Sequence, residues 1–369
     1  MNDLSFSKKD DLNNFLKEKK SNKILIICGE KSFNGSGAKQ FFEGLFNNIK
    51  VEFYFKKFSI PNHKELQNII NHIKTFSPNL IIAIGGGSVL DYAKIANVLT
   101  NTINLKDELI NSNYNAKNKF AKLVAIPTTA GSGAEVTPNA VIYIDKIKYS
   151  VEGEQLKPDY FFLIPELVLA ASNKIKSSAG FDAIAQAIES LISRRSNEKS
   201  KLFAEKSLKL SFNYFSNYLD KPSYENTSAM CLAANLSGEA ISISKTTAPH
   251  AVSYPFTALY NVSHGHAVSL TLNKFLKFNY KNLASAKCNF DLNSRFKILF
   301  DLTKTNSFEA FDQYLVNLKN NAKLENNFEK LGIDINKNYT KIISSVNSKR
   351  LANNPVDLNL MDLKKIIQS

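Results

Sequence analysis

The amino-acid sequence predicts an α/β domain over residues 1–165 and an all-helical domain over residues 166–369. In the first half, short apolar runs alternate with amphipathic segments, as in parallel sheets whose strands are joined by helices. Beyond Pro165 the apolar residues recur every three or four positions, for example from Phe203 to Phe212, which is the period of a helix. A chain of 369 residues is long enough for two domains with separate cores.

Each element of the first domain follows from its local pattern. Apolar runs bounded by turn residues predict strands, and the spacing of apolar residues between His63 and Thr75 predicts a helix. The predicted strands are Lys23–Cys28, Val51–Phe55, Leu80–Ile84, Lys122–Ile126, Ala140–Ile144 and Tyr160–Ile164.

The net charge of +14 comes almost entirely from lysine scattered along the chain. Proteins that read nucleic acids rely on arginine for bidentate contacts, and arginine occurs here only at positions 194, 195, 295 and 350. We therefore expect no nucleic-acid partner. The positive field would still attract a small anionic substrate.

The cysteines and the apolar segments bear on location. Cys28, Cys231 and Cys288 are widely spaced and form no CxxC pair, which fits a reducing compartment. The start, Met1–Asp11, lacks the apolar run of a secretory leader, and no later stretch reaches the length of a membrane span. We expect a cytoplasmic protein with no membrane partner.

A glycine-rich loop follows the predicted strand Leu80–Ile84. Gly85, Gly86, Gly87 and Ser88 lead into a helix, where glycines let the backbone approach a pyrophosphate and the helix start offers N–H donors. These residues predict a dinucleotide phosphate site. The loop is not a GxGxxG sequence, so a simple tight strand-to-helix connection stays open as the alternative.

Two further features accompany this loop. Asp91 and Lys94 lie three apart on the helix, where they contact the cofactor or pair with each other. A second loop, Ile126–Thr137, places the hydroxyls of Thr128, Thr129 and Ser132 and several glycines after another strand. We predict that it holds the nicotinamide ribose and amide, and a plain glycine-rich turn is the alternative.

The second domain concentrates metal-binding side chains. Asp182, Gln186 and Glu189 fall on one helical face, and His250, His264 and His266 lie close together downstream. Two imidazoles and a carboxylate suit iron or zinc and leave a coordination position open for chemistry. Without the histidines, a polar stripe facing solvent would be the simpler explanation of the helix.

The glycine loop, the PTTAGSGAE loop, the Gly-x-Asp-Ala helix and the His-Gly pair occur in an order and spacing that resemble the iron-containing (group III) alcohol dehydrogenases along almost the whole chain. The resemblance implies the dehydroquinate synthase-like fold, with an α/β dinucleotide-binding domain and an all-helical metal-binding domain. It also implies a divalent metal, Fe²⁺ or Zn²⁺, with NADPH or NADH, and a homodimer.

The resemblance places the metal ligands at Asp182, Gln186, His250 and His264. The family normally has histidine where this chain has Gln186, so four-ligand coordination is in question. Asp182, His250 and His264 would suffice as a set, with the Gln186 amide binding the metal weakly or holding a metal-bound water. His266 is the candidate proton relay, with a structural role as the alternative.

Within the family, the segments around Gln186, His250 and His264 resemble the branch that reduces phosphonoacetaldehyde. A phosphonate needs a cationic pocket, and Lys245, five residues before His250, is the predicted substrate residue, with a solvated lysine as the alternative. The basic segment Phe55–Phe58 after the second strand favours NADP(H).

Other functions remain possible on the same sequence. One is another short-chain alcohol or lactaldehyde-type dehydrogenase. A lyase similar to dehydroquinate synthase would recycle its cofactor within one turnover, and a non-catalytic relative would have lost its metal site at Gln186.

Overall fold

The structure, a computed structural model, describes residues 8–47, 49–344, 346 and 348–368. Residues 1–7 of the segment Met1–Asp11, where the sequence predicts no secretory leader, lie outside the described residues. The described chain forms two compact units, one up to Ser172 together with Ser223–Cys231, and one of Asn173–Pro222 with the chain from Leu232 onward. The predicted boundary after residue 165 stays a prediction.

The first unit is built on a five-stranded parallel sheet in the order β2-β1-β3-β4-β7. Its strands are β1 (Lys23–Gly29), β2 (Lys50–Lys56), β3 (Leu80–Gly85), β4 (Lys122–Pro127) and, after the hairpin strands β5 (Asn139–Ile144) and β6 (Ile147–Glu152), β7 (Tyr160–Phe161). Its helices are α1 (Lys9–Lys19), α2 (Glu30–Gly35), α3 (Ala38–Phe42), α4 (His63–Phe76), α5 (Gly87–Val98), α6 (Leu105–Ile110) and α7 (Pro165–Leu169), with a 3₁₀ turn at Glu154–Leu156.

Helices cover both faces of this sheet. Alternate residues of the central strands point to opposite faces, so Leu25 and Ile81 join a core with α4 and α5, whereas Ile24 and Ile82 join a core with α1, α3 and α7. Strands buried on both faces read as continuous apolar runs, and this explains why the sequence predicted them.

The structure differs from the sequence prediction at β5 and β7. β5 lies outside the main sheet and forms an antiparallel hairpin with β6, which the sequence did not predict. Asp145 and Lys146 both have positive φ, of 50° and 67°, as a two-residue type I′ turn requires. Asp-Lys is not the Asn-Gly or Asp-Gly pair that usually reveals such a turn. Of the predicted strand Tyr160–Ile164, only the first two residues form a β-strand, β7.

Beyond Ser172 the described chain is helical. Its helices are α8 (Asn173–Ile192), α9 (Glu198–Asp220), α10 (Tyr224–Ser244), α11 (Ala248–Tyr260), α12 (His264–Lys281), α13 (Leu292–Thr303), α14 (Phe308–Asn321), α15 (Ile335–Ser344), α16 (Ser348–Leu351) and α17 (Leu360–Gln368), with 3₁₀ turns at Leu283–Ser285 and Glu329–Leu331. The predicted fold class, a parallel α/β domain plus a helical domain, is confirmed. Among the described helices, none combines the length and apolar character needed to cross a membrane.

Candidate metal centre and cofactor loops

Asp182 and Gln186 lie one turn apart on the long helix α8, and both are buried, at 4% and 3% exposed. α8 packs against α9 on one side and α12 on another, which explains why its polar stripe faces protein and not solvent. Burying a carboxylate is costly unless a partner compensates its charge. The position of Asp182 therefore requires a cationic or hydrogen-bonding environment.

That environment is supplied by two histidines, each in the first turn of a helix. His250 is the third residue of α11 and His264 is the first residue of α12. His250 Nε2 lies 3.3 Å and His264 Nε2 lies 3.9 Å from Asp182 Oδ1, and one ligand atom from each of the three residues falls within 4.8 Å of the others. Asp182 and His250 are buried while His264 is half-buried, so the group is open on the side of His264.

Gly265 makes this approach possible. A Cβ atom at position 265 would lie 1.9 Å from the Ser178 carbonyl oxygen and 2.8 Å from the Asp182 Cβ, so only glycine lets α12 come this close to α8. The close contact of the two helices brings His264, one residue earlier, next to Asp182.

Glu189 orients His250. One oxygen of its fully buried carboxylate is hydrogen-bonded to His250 Nδ1, and the other accepts bonds from the Thr247 backbone N–H at 2.7 Å and the Thr247 hydroxyl at 2.8 Å. A carboxylate on Nδ1 fixes the ring and leaves Nε2 as the lone-pair donor, the usual support of a metal-bound histidine. The sequence placed Glu189 on the right face of α8 but gave it no role.

His250 Nε2 fits the place of a metal ligand. It is buried and has no hydrogen-bond partner among the described residues. Burial lowers the pKa of His250, but the carboxylates of Glu189 and Asp182 outweigh this effect and raise the pKa to about 9. The same excess of negative charge would stabilise a divalent cation, so the residues present fit the metal that the sequence predicts.

Gln186 contacts Asp182 through its nitrogen. Nε2 donates to Asp182 Oδ2 at 3.1 Å, and Oε1 lies 3.1 Å from the Ser237 hydroxyl, which donates to it. A carboxylate accepts hydrogen bonds only, so the amide NH₂ belongs on this side. A direct Gln186–metal bond would require the amide to turn over, and Gln186 as a ligand stays a prediction.

The loop that carries Lys245 is held from several directions. Asn353 Nδ2 donates to the carbonyls of Ser244 at 2.8 Å and Thr246 at 2.9 Å, and Arg350 donates to the Thr246 hydroxyl. Lys245 itself is half-buried and has a positive φ of 59°, an uncommon conformation for a residue other than glycine. Such backbone persists only where neighbours enforce it.

His266 is half-buried in the first turn of α12. Its Nε2 donates to the Glu325 carbonyl at 2.8 Å, and its backbone N–H donates to the Ser178 hydroxyl at 3.2 Å. A nitrogen that faces a carbonyl oxygen carries the proton, so Nδ1 is the free acceptor of a neutral ring. The predicted catalytic role of His266 remains a prediction.

In the first unit, the two predicted cofactor loops contact each other. Thr128 N–H donates to the Gly85 carbonyl at 3.0 Å. A Cβ atom at Gly87 would lie 2.9 Å from the Ser132 hydroxyl oxygen, so a side chain there would clash with the second loop. A Cβ atom at Gly86 would lie 3.4 Å from the Thr129 side chain, an ordinary van der Waals contact that still shows how close the two loops lie. The loop residues Gly86, Gly87 and Ser88 stay partly exposed where α5 begins, and first-turn N–H groups of a helix have no partner within it.

A buried lysine fastens the second loop. Lys94 is 1% exposed, and its ammonium donates to Ala134 O at 2.9 Å, Thr137 Oγ1 at 3.0 Å and Asn139 O at 2.6 Å. Asp91 accepts a bond from the Val141 N–H, and burial raises its pKa to about 6. Both side chains thus contact protein around β5, and the cofactor contact predicted for Asp91 stays a prediction.

Two family models match nearly the whole chain. Residues 7–165 match the model described as iron-containing alcohol dehydrogenase, and residues 176–369 match the C-terminal model of the Fe-containing alcohol dehydrogenase family. The chain belongs to the iron-containing alcohol dehydrogenase family. The protein is therefore an alcohol dehydrogenase-type oxidoreductase, and the resemblance recognised in its motifs is confirmed.

Two curated relatives illustrate the range within this alcohol dehydrogenase family. The chain is 31% identical to 4-hydroxybutyrate dehydrogenase of Clostridium kluyveri over 257 residues, 68% of this chain and 67% of that protein. It is 30% identical to phosphonoacetaldehyde reductase of Streptomyces viridochromogenes over 221 residues, 58% of this chain. The matched segment spans only 56% of the Streptomyces protein.

Among solved structures, this alcohol dehydrogenase is similar to sulfoacetaldehyde reductase from Bifidobacterium kashiwanohense, whose crystal structure contains NAD⁺. The TM-score is 0.87 over 99% of this chain and 95% of the other, at 22% identity. At this level of identity the similarity establishes the fold.

Proposed function

We propose that this alcohol dehydrogenase reduces a small anionic aldehyde to an alcohol, and that phosphonoacetaldehyde, reduced to 2-hydroxyethylphosphonate, is its substrate. The observation that carries the proposal is the buried Asp182–His250–His264 group, braced by Glu189 and open at His264. A group of this composition binds Fe²⁺ or Zn²⁺ and keeps a position for the substrate.

The anionic substrate is supported by the named relatives and by Lys245. The names of the three proteins above specify a carboxylate, a phosphonate and a sulfonate, all negatively charged at neutral pH. Lys245 follows the last residue of α10 and precedes the loop residue Thr247, whose N–H and hydroxyl bind Glu189. We propose that its ammonium pairs with the anionic end of the substrate.

The residues of the metal centre would each have a distinct role in the reaction. Asp182, His250 and His264 hold the cation, Glu189 keeps Nε2 of His250 available, and Gln186 steadies Asp182. When bound, the cation supplies polarisation of an aldehyde carbonyl and the reduced nicotinamide supplies hydride. His266 is the proposed proton carrier, with its Nε2 proton directed at the Glu325 carbonyl and Nδ1 as the acceptor.

The glycine loop and the hydroxyls of Thr128, Thr129 and Ser132 would bind the dinucleotide, and the sheet order bears on which one. The glycine loop follows β3, whose neighbour on one side is β4 with the nicotinamide loop and on the other side is β1. The adenosine ribose would then lie beside the end of β1, where Gly29 is followed by the exposed Glu30. A carboxylate there accepts bonds from ribose hydroxyls and repels a 2′-phosphate, so we propose NADH.

Lys56, in the segment that favoured NADP(H), lies at the end of β2, which is one strand further from the glycine loop than β1. Its ammonium donates to the Phe58 carbonyl at 2.7 Å. We also propose a cytoplasmic location and a homodimer.

One assay separates these possibilities. Purified protein, loaded with Fe²⁺ or Zn²⁺, is given NADH or NADPH with phosphonoacetaldehyde, sulfoacetaldehyde, succinate semialdehyde, lactaldehyde or butyraldehyde. We expect the highest kcat/KM with phosphonoacetaldehyde, and His264→Ala as well as chelator treatment should abolish the reaction. A preference for a neutral aldehyde would reject the anionic substrate, and absence of net NADH consumption with every aldehyde would favour a lyase or a non-catalytic protein. Highest kcat/KM with succinate semialdehyde would favour a 4-hydroxybutyrate dehydrogenase, the activity for which the Clostridium relative is named.

A further inference from the structure

His264 is the least enclosed side chain of the candidate metal centre. Its side chain is 36% exposed, whereas those of Asp182 and His250 are 6% and 4% exposed. The clearance at Gly265 brings the backbone of His264 close to α8, but it leaves the two side-chain torsions of the imidazole undetermined. A ligand whose ring can rotate loses that freedom when it binds a cation, and this loss weakens binding.

Tyr254 packs against the imidazole of His264. It lies on α11 one turn after His250, so both side chains are on the same face of that helix. The Tyr254 ring is nearly parallel to the His264 imidazole, with 21° between the planes and 5.8 Å between the ring centres. The His250 imidazole meets the His264 ring at 75°, with 5.4 Å between the centres. Two rings of α11 therefore contact the imidazole of His264.

The Tyr254 ring is itself enclosed by protein. Tyr254 is 4% exposed, and its sequence neighbours Ser253 and Pro255 are buried as well. The Ser253 hydroxyl donates to the His250 carbonyl at 2.8 Å, within the same turn of α11. A buried ring cannot move without displacing closely packed neighbours, so Tyr254 presents a fixed surface to one face of the imidazole.

We propose that Tyr254 is a positioning residue for His264, because its ring restricts rotation of the imidazole and keeps Nε2 directed towards Asp182. Glu189 orients His250 through a hydrogen bond, and Tyr254 orients His264 through a ring contact. The inference rests on the metal centre of the proposed function and is independent of the aldehyde and the dinucleotide.

The contact between the two rings should become stronger when a cation binds. An imidazole bound to a divalent cation gives up electron density and becomes more positive, whereas the face of a phenol ring is negative. The attraction between Tyr254 and His264 is therefore larger in the metal-bound protein than in the metal-free protein. Tyr254 thus favours cation binding both by ordering the ligand and by stabilising the bound form.

Ring removal at position 254 tests this role by titration of Zn²⁺ against a chromophoric chelator. Tyr254→Leu should lower the affinity about five- to tenfold, because the aromatic contact is lost. Tyr254→Phe keeps the ring and should bind Zn²⁺ within about twofold of the original chain. Phe256→Leu is the matched control. This fully buried ring lies on the same helix but packs on Phe328 at 5.4 Å, so its loss should leave the affinity unchanged.

Two further measurements separate positioning from packing. Urea unfolding of the metal-free proteins should show that Tyr254→Leu and Phe256→Leu both lower the free energy of unfolding, although only Tyr254→Leu loses affinity. The visible spectrum of the Co²⁺-loaded protein reports the arrangement of the ligands. Its bands should shift in Tyr254→Leu and stay in place in Tyr254→Phe and Phe256→Leu.

Equal Zn²⁺ affinity of Tyr254→Leu and the original chain would overturn the inference. An equal loss in Tyr254→Phe would also overturn it, because the effect would then belong to the hydroxyl. A loss in Phe256→Leu as large as in Tyr254→Leu would assign the effect to the packing of α11.

Two outcomes need a separate reading. If circular dichroism shows that Tyr254→Leu does not fold, Tyr254→Met takes its place with the same expected loss, because a flexible thioether fills the space without a planar face. An original chain that binds no Zn²⁺ would reject the metal centre itself and this role with it, whereas an original chain that binds Zn²⁺ as tightly as Tyr254→Leu rejects the role of Tyr254 alone.

Discussion

Glu189 and His250, 61 residues apart in sequence, form a buried carboxylate–imidazole pair that directs His250 Nε2 towards Asp182. Glu189→Gln removes the negative charge and weakens the hold on the ring, so affinity for Zn²⁺ or Fe²⁺ should fall about 10- to 100-fold. Titration against a chromophoric chelator measures this. Glu198→Gln, at the exposed start of α9, is the control, and metal affinity equal in all three proteins would contradict the role of Glu189.

Gln186→His places an imidazole one turn after Asp182 on the same face of α8. A third nitrogen ligand, the fourth ligand in all, should tighten metal binding at least about tenfold, because imidazole is a better donor than an amide. The same titration applies, with Gln186→Leu beside it. If Gln186→Leu binds metal nearly as well as the original chain, the amide is no ligand. If Gln186→Leu loses metal as completely as His264→Ala, Gln186 is a metal ligand.

Glu30→Ala should reduce the preference for NADH over NADPH at least about fivefold, because the carboxylate that repels a 2′-phosphate is gone. The ratio of kcat/KM with the two cofactors is the measurement, and Lys57→Ala is the control on the neighbouring strand end. An original chain that prefers NADPH, or a ratio that changes only in Lys57→Ala, would restore the interpretation based on the segment after β2.

Asn353→Ala removes the donor that holds the Ser244 and Thr246 carbonyls, so Lys245 is released from its positive φ. The KM for an anionic aldehyde should rise about fivefold or more, and the KM for butyraldehyde should stay the same. Asn317→Ala, exposed on α14, controls for the substitution itself. Equal increases in KM for charged and neutral aldehydes would show that Asn353 supports the fold and does not position Lys245.

Lys319 is 4% exposed, with its ammonium 3.4 Å from the Ser269 carbonyl, and burial lowers its pKa to about 8. The unfolded chain binds this proton more tightly, so the free energy of unfolding should rise between pH 8 and 10.5. Lys319→Met should stabilise the protein at pH 7 by about 2–3 kcal/mol. Urea unfolding at several pH values tests this: the difference between the two proteins should shrink as the pH rises, and a constant difference would contradict the prediction.

The fold was predictable because its signals are local. Buried parallel strands such as β3 read as apolar runs, and α8 shows its functional face through the spacing of Asp182, Gln186 and Glu189. The β5–β6 hairpin was missed because its turn uses Asp145 and Lys146 where glycine is usual.

The supporting residues of the site were less accessible to sequence reasoning. Glu189 gains its role from Thr247 and His250, and Lys94 from carbonyls 40 and 45 residues away. Such partners depend on tertiary packing that no spacing in the sequence reveals. The requirement for glycine at position 265 is another such case, because nothing in the sequence around His264 indicates that α8 packs against this position.

The contact of Gly265 with Ser178 couples the packing of α12 against α8 to the position of the metal-binding residue His264. Any side chain at position 265 would push α12 away from α8, and the same movement would carry His264 away from Asp182. Loss of packing between the two helices and loss of the cation-binding geometry would therefore occur together. His264 and Gly265 are therefore structurally interdependent, because the position of the ligand His264 requires the clearance that glycine provides at position 265.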